Sequence, residues 1–360
     1  MKTDDVPAEP VHHNLKSSSS LGVQHFNIFL LVLIFFAASP VLAQTKNQQP
    51  VSLVSVTPLP GFVGDFDHFA VDLKRQHLLL AAEEHHTLEV FDLNTGKPLR
   101  SVSGLKAPHT LAYVPEKDEV FITDGDAAAC IILSGADFHE VGRIALKPGA
   151  DAALYDPTSK IFYVANGGRE EKASTSNITE ISVMDHKIVA QISVDGDNVE
   201  AMAIDHTHNR LFANIRDKKQ VGVIDLASKQ VVARWIAPGL NRNTTLTFDP
   251  TTKRVFVAGR SPGKFVVFDA TDGRVVTEMN CVNNADGMVW DPVARRVYIS
   301  GSQGLSIFSQ EGPDQYRSLT QIPTNGGKTS LYVPEVKQLY IVHPKTEIDD
   351  AALLIYKTNS

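Results

Sequence analysis

The chain has 360 residues, more than a single compact core usually spans, so its length predicts either two domains or one large repetitive domain. Hydrophobic residues make up 43% of it and charged residues 21%, a composition typical of a globular protein and not of an extended disordered one. The formal net charge is −7, so the basic excess of nucleic-acid-binding proteins is missing and nucleic acid is excluded as a partner.

The first 43 residues predict an export signal. Residues 28–38 form an uncharged apolar run that is short for a bilayer span, and the helix breaker Pro40 and the motif Val41-Leu42-Ala43 follow it. This order is typical of a signal peptide cleaved after Ala43, so we expect residues 1–43 to be removed and 44–50 to form a short linker. The protein is then periplasmic or secreted, with no membrane segment after cleavage. Because acids precede the run, an uncleaved anchor is the alternative.

The cysteine content excludes a disulfide framework. Cys130 and Cys281 are the only cysteines and lie far apart in the sequence, so buried free thiols are expected. There is no Cys-x-x-Cys-His motif for covalent haem attachment, which disfavours a haem-bearing redox subunit.

A repeat of 42–49 residues runs through the rest of the chain. Each copy has an apolar strand, an Asp or Val-Pro, a polar turn with a basic residue, and then an apolar-aromatic-apolar triplet. Two further β-rich segments follow, so each copy predicts four short strands. The copies align, at steps of 42, 42, 49, 44, 42 and 42 residues, on Asp72, Val114, Asp156, Asp205, Asp249, Asp291 and Val333.

Four-stranded units at this step are typical of β-propeller blades. The predicted fold class is therefore all-β, a seven-bladed β-propeller of four-stranded antiparallel blades that spans residues 51–360 as one domain. The last repeat has only three strands, and the unassigned segment "VSLVSVTPLPG" from Val51 precedes the first repeat. This N-terminal strand is expected to complete the seventh blade and so close the ring.

Three of the triplets resemble those of a known family. "FYVANGG" from Phe162, "VFVAGR" from Val255 and "VYISGS" from Val297 are similar to the Tyr-Val-Thr-Asn repeats of the YncE-like seven-bladed propellers of bacteria. The resemblance covers residues 51–360 and implies the fold. It implies no catalytic set, because the repeat motif builds strands. Propellers related to this family include lactonases, lyases and haem- or quinone-bearing dehydrogenase subunits.

Seven polar residues mark the predicted start of each innermost strand, five positions before each alignment point. At the mouth of the central channel they would form a polar ring of net negative charge, suited to a cation, water or a small polar ligand. The alternative is a wet rim that only solvates the channel or links the blades. These ring residues are Asp67, His109, Asp151, Glu200, Thr244, Asp286 and Lys328.

The loops between second and third strands should return to the same face. They add Arg216, Arg260 and His343 to the candidate ligand-binding residues. His68 is a further candidate, and strand alternation predicts that it points away from Asp67, toward the neighbouring blade. The same loops also contain Glu83–His86, Asp124, Asp126, Asn166, Asn214 and a long segment, 167–180, that is expected to be mobile.

The ring residues also include possible metal ligands. Histidine with carboxylates suits zinc or another transition metal, and carboxylates alone suit calcium, so a divalent metal ion is the one cofactor predicted. The candidate metal ligands are Asp67, His109, Asp151, Glu200 and Asp286.

Two functions follow from these features. The first is an exported, monomeric, non-catalytic propeller that binds a small polar ligand, a metal ion or a protein partner at the channel mouth. The alternative is a metal-dependent lactone hydrolase or lyase that acts at the same face. Covalent hydrolysis is disfavoured because the chain has no Gly-x-Ser-x-Gly motif to provide a nucleophile.

Overall fold

The computed structural model describes residues 49–359, so the predicted signal peptide and residues 44–48 of the predicted linker lie outside the described part. Within it the chain forms twenty-eight β-strands and three short 3₁₀ turns, Glu83–His85, Gly168–Glu171 and His206–His208. No helix of these residues is long and apolar enough to cross a membrane.

The strands form seven four-stranded antiparallel sheets, which confirms the predicted fold class. Blades 1 to 6 follow the chain order, and blade 7 combines both ends of the described chain. The first strand is β1 (Val51–Leu59), which belongs to blade 7. Blade 1 contains β2 (Phe69–Asp72), β3 (His77–Ala82), β4 (Thr87–Asp92) and β5 (Pro98–Ser103), and blade 2 contains β6 (Pro108–Val114), β7 (Glu119–Asp124), β8 (Ala129–Ser134) and β9 (Glu140–Ala145). Blade 3 contains β10 (Ala153–Asp156), β11 (Ile161–Gly167), β12 (Thr175–Ser182) and β13 (Lys187–Asp195), and blade 4 contains β14 (Val199–Asp205), β15 (Arg210–Ile215), β16 (Gln220–Asp225) and β17 (Gln230–Ile236). Blade 5 contains β18 (Asn243–Asp249), β19 (Arg254–Arg260), β20 (Gly263–Asp269) and β21 (Val275–Asn280), and blade 6 contains β22 (Gly287–Asp291), β23 (Arg296–Gly301), β24 (Gly304–Gly312) and β25 (Gln315–Ile322). Blade 7 contains β26 (Thr329–Val333), β27 (Gln338–His343) and β28 (Ala351–Thr358), with β1 at its outer edge.

The two ends of the described chain meet in blade 7, as predicted. The pairing of β1 with β28 is antiparallel and runs from Val51 opposite Thr358 to Leu59 opposite Ala351, with one irregularity between Leu53 and Ser55. The buried ends of β1, Val51 and Leu59, are each 3% exposed and join two different apolar clusters. The N-terminal strand therefore closes the ring of blades.

The core lies between neighbouring blades. Second and third strands are covered on both faces, which explains why they read as continuous apolar runs; in β3, residues 78–82 are all fully buried. Phe121 of blade 2 and Phe162 of blade 3 meet edge to face across one such interface, with ring centres 5.9 Å apart. The fourth strands lie at the periphery and are mostly exposed.

The polar turn between first and second strands has one geometry in every repeat. The residue four positions after each alignment point has left-handed backbone angles, with φ between 51° and 59°. In the first blade, Asp72 accepts hydrogen bonds from the backbone N–H groups of Lys74 and Arg75 at 2.9 and 3.1 Å, which offsets the cost of that conformation. The seven left-handed residues are Gln76, Asp118, Lys160, Asn209, Lys253, Arg295 and Lys337.

Both cysteines are free, as expected. Cys130 is fully buried and Cys281 is partly buried. Burial raises the pKa of both thiols to about 12, so both are unreactive at neutral pH.

Shortening the chain tests the closure. A chain that starts at Gln49 keeps β1 and should unfold cooperatively, whereas one that starts at Pro60 loses β1. Removing the buried Val51 and Leu59 costs about 3–6 kcal/mol, which corresponds to a melting temperature roughly 10 °C lower. Thermal unfolding followed by circular dichroism measures the difference, and equal melting temperatures would show that β1 does not close the ring.

Candidate functional site

A cavity of about 230 Å³ lies where the innermost strands of the seven blades begin. All seven ring residues line it, so the structure brings together the positions that the repeat spacing predicts. The predicted Arg216, Arg260 and His68 line it too. We call this cavity the channel mouth.

A β-bulge turns the ring side chains into the channel. In blade 1 the N–H of Asp67 donates to the carbonyl oxygen of Ala81 at 2.9 Å, and the N–H of Ala81 donates to that of His68 at 3.0 Å. Asp67 and His68, which directly precede β2, therefore share one partner, Ala81 of β3. Blade 3 repeats this pattern at Asp151. The pairings of first with second strands in blades 2, 4 and 5 also shift register at this level.

The bulge corrects the expected direction of His68. Regular alternation predicts that His68 points away from Asp67, but His68 Nε2 lies 3.4 Å from Asp67 Oδ1 and both residues line the channel mouth. Alternation fails here because the two adjacent residues share one partner in the bulge. His68 is therefore part of the site, and the direction expected from strand alternation is wrong.

Ion pairs neutralise one half of the channel mouth. Arg216 Nη1 lies 2.6 Å from Glu200 Oε1, and Arg260 pairs with Asp286. Lys328 Nζ lies 2.8 Å from an oxygen of Asp65, outside the ring, and 3.5 Å from one of Asp286. The carboxylates of blades 4 and 6, both predicted metal ligands, thus already have cationic partners.

The other half contains an acid-histidine cluster. His109 Nδ1 lies 2.7 Å from Asp67 Oδ2 and 3.6 Å from Asp151 Oδ1. One ligand atom from each of the three residues lies within 4.8 Å of the other two. We call this the triad. Among the described residues it is the one group of three or more His, Cys, Asp or Glu side chains whose ligand atoms converge in this way.

The triad binds a proton strongly. Burial opposes charge on His109, but its hydrogen bond to Asp67 and the charge of Asp151 prevail and raise the pKa of His109 to about 10. Burial would likewise raise the pKa of Asp67, yet the charge of His68 and the bond to His109 lower it to about 2. Burial raises the pKa of Asp151, and the nearby His109 offsets this only in part.

Two residues outside the predicted ring also line the channel mouth, Glu83 and Arg169. Burial raises the pKa of Glu83 to about 7, and its carboxylate has no hydrogen-bond or ion-pair partner among residues 49–359. Glu83 belongs to the loop segment Glu83–His86 of the first blade, and Arg169 lies in the long segment of the third repeat. With these two, five carboxylates face four cationic side chains and a protonated His109, so the predicted net negative charge is absent.

His343 is not at the channel mouth, which corrects its prediction as a ligand-binding residue. It is 2% exposed, its Nδ1 lies 2.9 Å from the carbonyl oxygen of Pro344, and it lines a separate groove beside β1. The end of a second strand lies one strand, about 4.8 Å, farther from the channel axis. The long side chains of Arg216 and Arg260 cross this distance, and the shorter imidazole does not.

Other loop candidates have structural roles. Asp124 is fully buried and accepts hydrogen bonds from the backbone N–H groups of Lys106, Ala107 and Ala127. Asn214 is fully buried and accepts a hydrogen bond from Asn243 at 2.8 Å.

Most of segment 167–180, expected to be mobile, is regular structure: β11 extends to Gly167, a 3₁₀ turn follows, and β12 starts at Thr175. Composition was misleading here because backbone pairing of the extended hairpin orders a polar sequence.

Replacing Glu83 tests whether burial raises the pKa of its carboxyl group. Its folded pKa of about 7 exceeds the ordinary 4.5, so the folded protein holds a proton that the unfolded chain releases, and stability falls as the pH rises through this range. Glu83→Gln should match the parent near pH 4 and exceed its unfolding free energy by about 1 kcal/mol at pH 8. Urea unfolding with chelator present measures this, with Glu347→Gln on an exposed loop as control. A pH-independent difference would contradict the assignment.

Comparisons with known proteins support the architecture. No protein-family model matches the chain, and no curated protein is significantly similar in sequence. A chain of the hydrazine synthase of Kuenenia stuttgartiensis aligns with a TM-score of 0.67 at 15% identity, over 80% of this chain and 97% of that one. A chain of a mitotic checkpoint complex aligns with a TM-score of 0.72 at 12% identity, over 92% and 100% of the two chains. At such identities the likeness shows the fold alone, that of a seven-bladed β-propeller.

Proposed function

We propose that the protein is a non-catalytic propeller that binds a divalent metal ion at its channel mouth. The convergence of His109, Asp67 and Asp151 carries this proposal. Zinc bonds to histidine nitrogen and carboxylate oxygen are about 2.0–2.2 Å long, so ligand atoms in a tetrahedral site lie about 3.3 Å apart. The observed separations from His109 Nδ1, 2.7 and 3.6 Å, bracket that value.

The ligand atoms favour a transition metal over calcium. Calcium takes six to eight oxygen ligands, whereas nitrogen with two carboxylates suits zinc or manganese. The carboxylates that would complete an oxygen site, Glu200 and Asp286, are paired with arginines. The metal must displace the proton that His109 holds, because only the neutral imidazole is a ligand.

A small polar ligand fits the same proposal. The cavity, of about 230 Å³, is smaller than most ligand pockets, so it admits only a small group. The side chains of Arg216, Arg260 and Lys328 would face an anionic group bound to the metal. We further propose that the protein belongs with the YncE-like propellers, acts as a monomer and is exported to the periplasm or secreted; the N-terminal apolar run and the repeat triplets support this. A protein partner at this face is the remaining possibility from the sequence.

Metal binding is tested by thermal unfolding of the purified, chelator-treated protein. Zinc or manganese at a hundredfold excess over its dissociation constant should add about 2.7 kcal/mol of stability, and calcium much less. Asp67→Asn/Asp151→Asn should lose this gain, because the ligand set falls to one imidazole. The matched double variant Asp137→Asn/Asp195→Asn, with exposed side chains, should keep it. Equal gains in all three proteins, or in none, would show that the ring is only a wet rim.

A metal-dependent lactone hydrolase or lyase is the second candidate, and one observation favours it. Glu83 lines the same cavity as the triad and has a pKa of about 7, which suits a group that exchanges a proton near neutral pH. In that function the metal would polarise the lactone carbonyl, and Glu83 would take a proton from the attacking water.

Catalysis is tested with a lactone panel on zinc- or manganese-loaded protein. Glu83→Gln should lower kcat about 10²–10⁴-fold while metal binding persists, since only the proton acceptor is lost. If the parent protein hydrolyses no lactone faster than the Asp67→Asn/Asp151→Asn variant does, the enzymatic alternative fails and the binding function stands.

A further inference from the structure

A second cavity, of about 430 Å³, opens beside the channel mouth at the rim of blades 2 and 3. It shares Glu83, His109, Asp151 and Arg169 with the channel mouth. Most of its other walls come from the end of β11 and from the turns that follow β7, β9, β11 and β13. We call it the side cavity. Its volume is within the range of small-molecule sites.

Glycines make room for the side cavity. A Cβ on Gly125 would lie 2.9 Å from His109 Nε2, and one on Gly149 would lie 2.5 Å from Glu170 Cγ. Both distances are shorter than real contacts, so a larger residue at either position would push these side chains. Gly149 also has a φ of 69°, which favours glycine.

The walls of the side cavity have an excess of hydrogen-bond acceptors. The carboxylates of Glu83, Asp126 and Asp197 line it and have no hydrogen-bond or ion-pair partner in the described part of the chain. Asp151 adds a fourth carboxylate. Its one ion-pair contact among the described residues is with His109, at 3.6 Å. Of the described residues, one lysine or arginine lines the cavity, Arg169, and it pairs with Glu170 at 3.0 Å.

A buried amide adds an independent indication. Asn166 lines the side cavity and is 3% exposed. Its Nδ2 donates to Val164 O and to Thr179 Oγ1, both at 2.9 Å, which orients the amide. Among residues 49–359, its Oδ1 has no hydrogen-bond partner, and neither has Oδ1 of Asn198 on the same wall. Native proteins rarely leave a buried acceptor unpaired. These two oxygens therefore indicate that a bound ligand supplies the missing hydrogen-bond donor.

We propose that the side cavity binds a small organic cation with one or more ammonium groups. An ammonium carries three donors, no acceptor and a positive charge, which matches unpaired carboxylates and amide oxygens. A neutral polyol would leave the charge uncompensated, and its hydroxyl oxygens would face acceptors. A bare divalent metal ion would fill little of the volume. The site goes beyond the metal proposed for the triad.

Isothermal titration with matched probes tests the site. On the purified, chelator-treated full chain, 1,4-diaminobutane should bind saturably and at least ten times more tightly than 1,4-butanediol, which has the same length without charge. Calcium chloride serves as the probe for a metal in this cavity. If the diol binds equally well, or calcium binds and the diamine does not, the proposal is overturned.

Variants then locate the bound diamine. Asp126→Asn/Asp197→Asn should weaken binding at least tenfold, and the exposed Asp126→Asn alone should weaken it less, without risk to folding. Asp137→Asn/Asp195→Asn should leave the affinity unchanged. Asp67→Asn separates the two sites, because it removes a triad ligand and no wall residue of the side cavity. Loss of diamine binding in Asp67→Asn, with retention in Asp126→Asn/Asp197→Asn, would place the cation at the channel mouth and refute the proposal.

Discussion

The antiparallel pairing of β1 with β28 is the interaction on which the arrangement of the site depends. A propeller blade buries its second and third strands only when a neighbour covers each face, so an open ring would expose the faces at the gap. Closure makes the last blade equivalent to the others and holds Lys328 of blade 7 in the same cavity as the ring residues of blades 1 to 6. A channel mouth that needs one residue from every blade therefore requires the chain ends to meet.

Most buried charges at the channel mouth are paired with an opposite charge, and the carboxylate of Glu83 is an exception among the described residues. Charged groups withdrawn from water cost free energy unless they are paired, and Glu200 and Asp286 satisfy this through Arg216 and Arg260. Glu83 has no such partner in the part of the chain that the structure describes. Burial raises its pKa to about 7, which reflects the free-energy cost of its charge at this position. Structural ion pairs explain one half of the channel mouth. A cationic ligand would stabilise the carboxylates that have no partner among residues 49–359, which are Glu83 in the other half and Asp126 and Asp197 in the side cavity.

The sequence predicted more of the fold than of the site. Seven copies of one strand-turn pattern determine the blades, and a fixed offset within each copy selects the ring residues, because equivalent positions in a closed ring face one axis. The repeat pattern contains no information on side-chain reach. Arg260 and His343, which both lie at the end of a second strand, were therefore equivalent candidates, although only Arg260 reaches the channel mouth. The pattern also contained no sign of the bulge that turns His68 toward Asp67.

The sequence by itself determined the number of blades, their limits, the closing strand and the seven polar positions, because these depend on local periodicity and on the need to bury apolar strands between blades. Only the tertiary structure decided which charges meet. Burial at the channel mouth raises the pKa of Glu83. The ion pair of Arg216 with Glu200 joins two strands of blade 4, and the triad joins residues of blades 1, 2 and 3. Such contacts depend on distances and directions across the channel, which no pattern along one chain specifies.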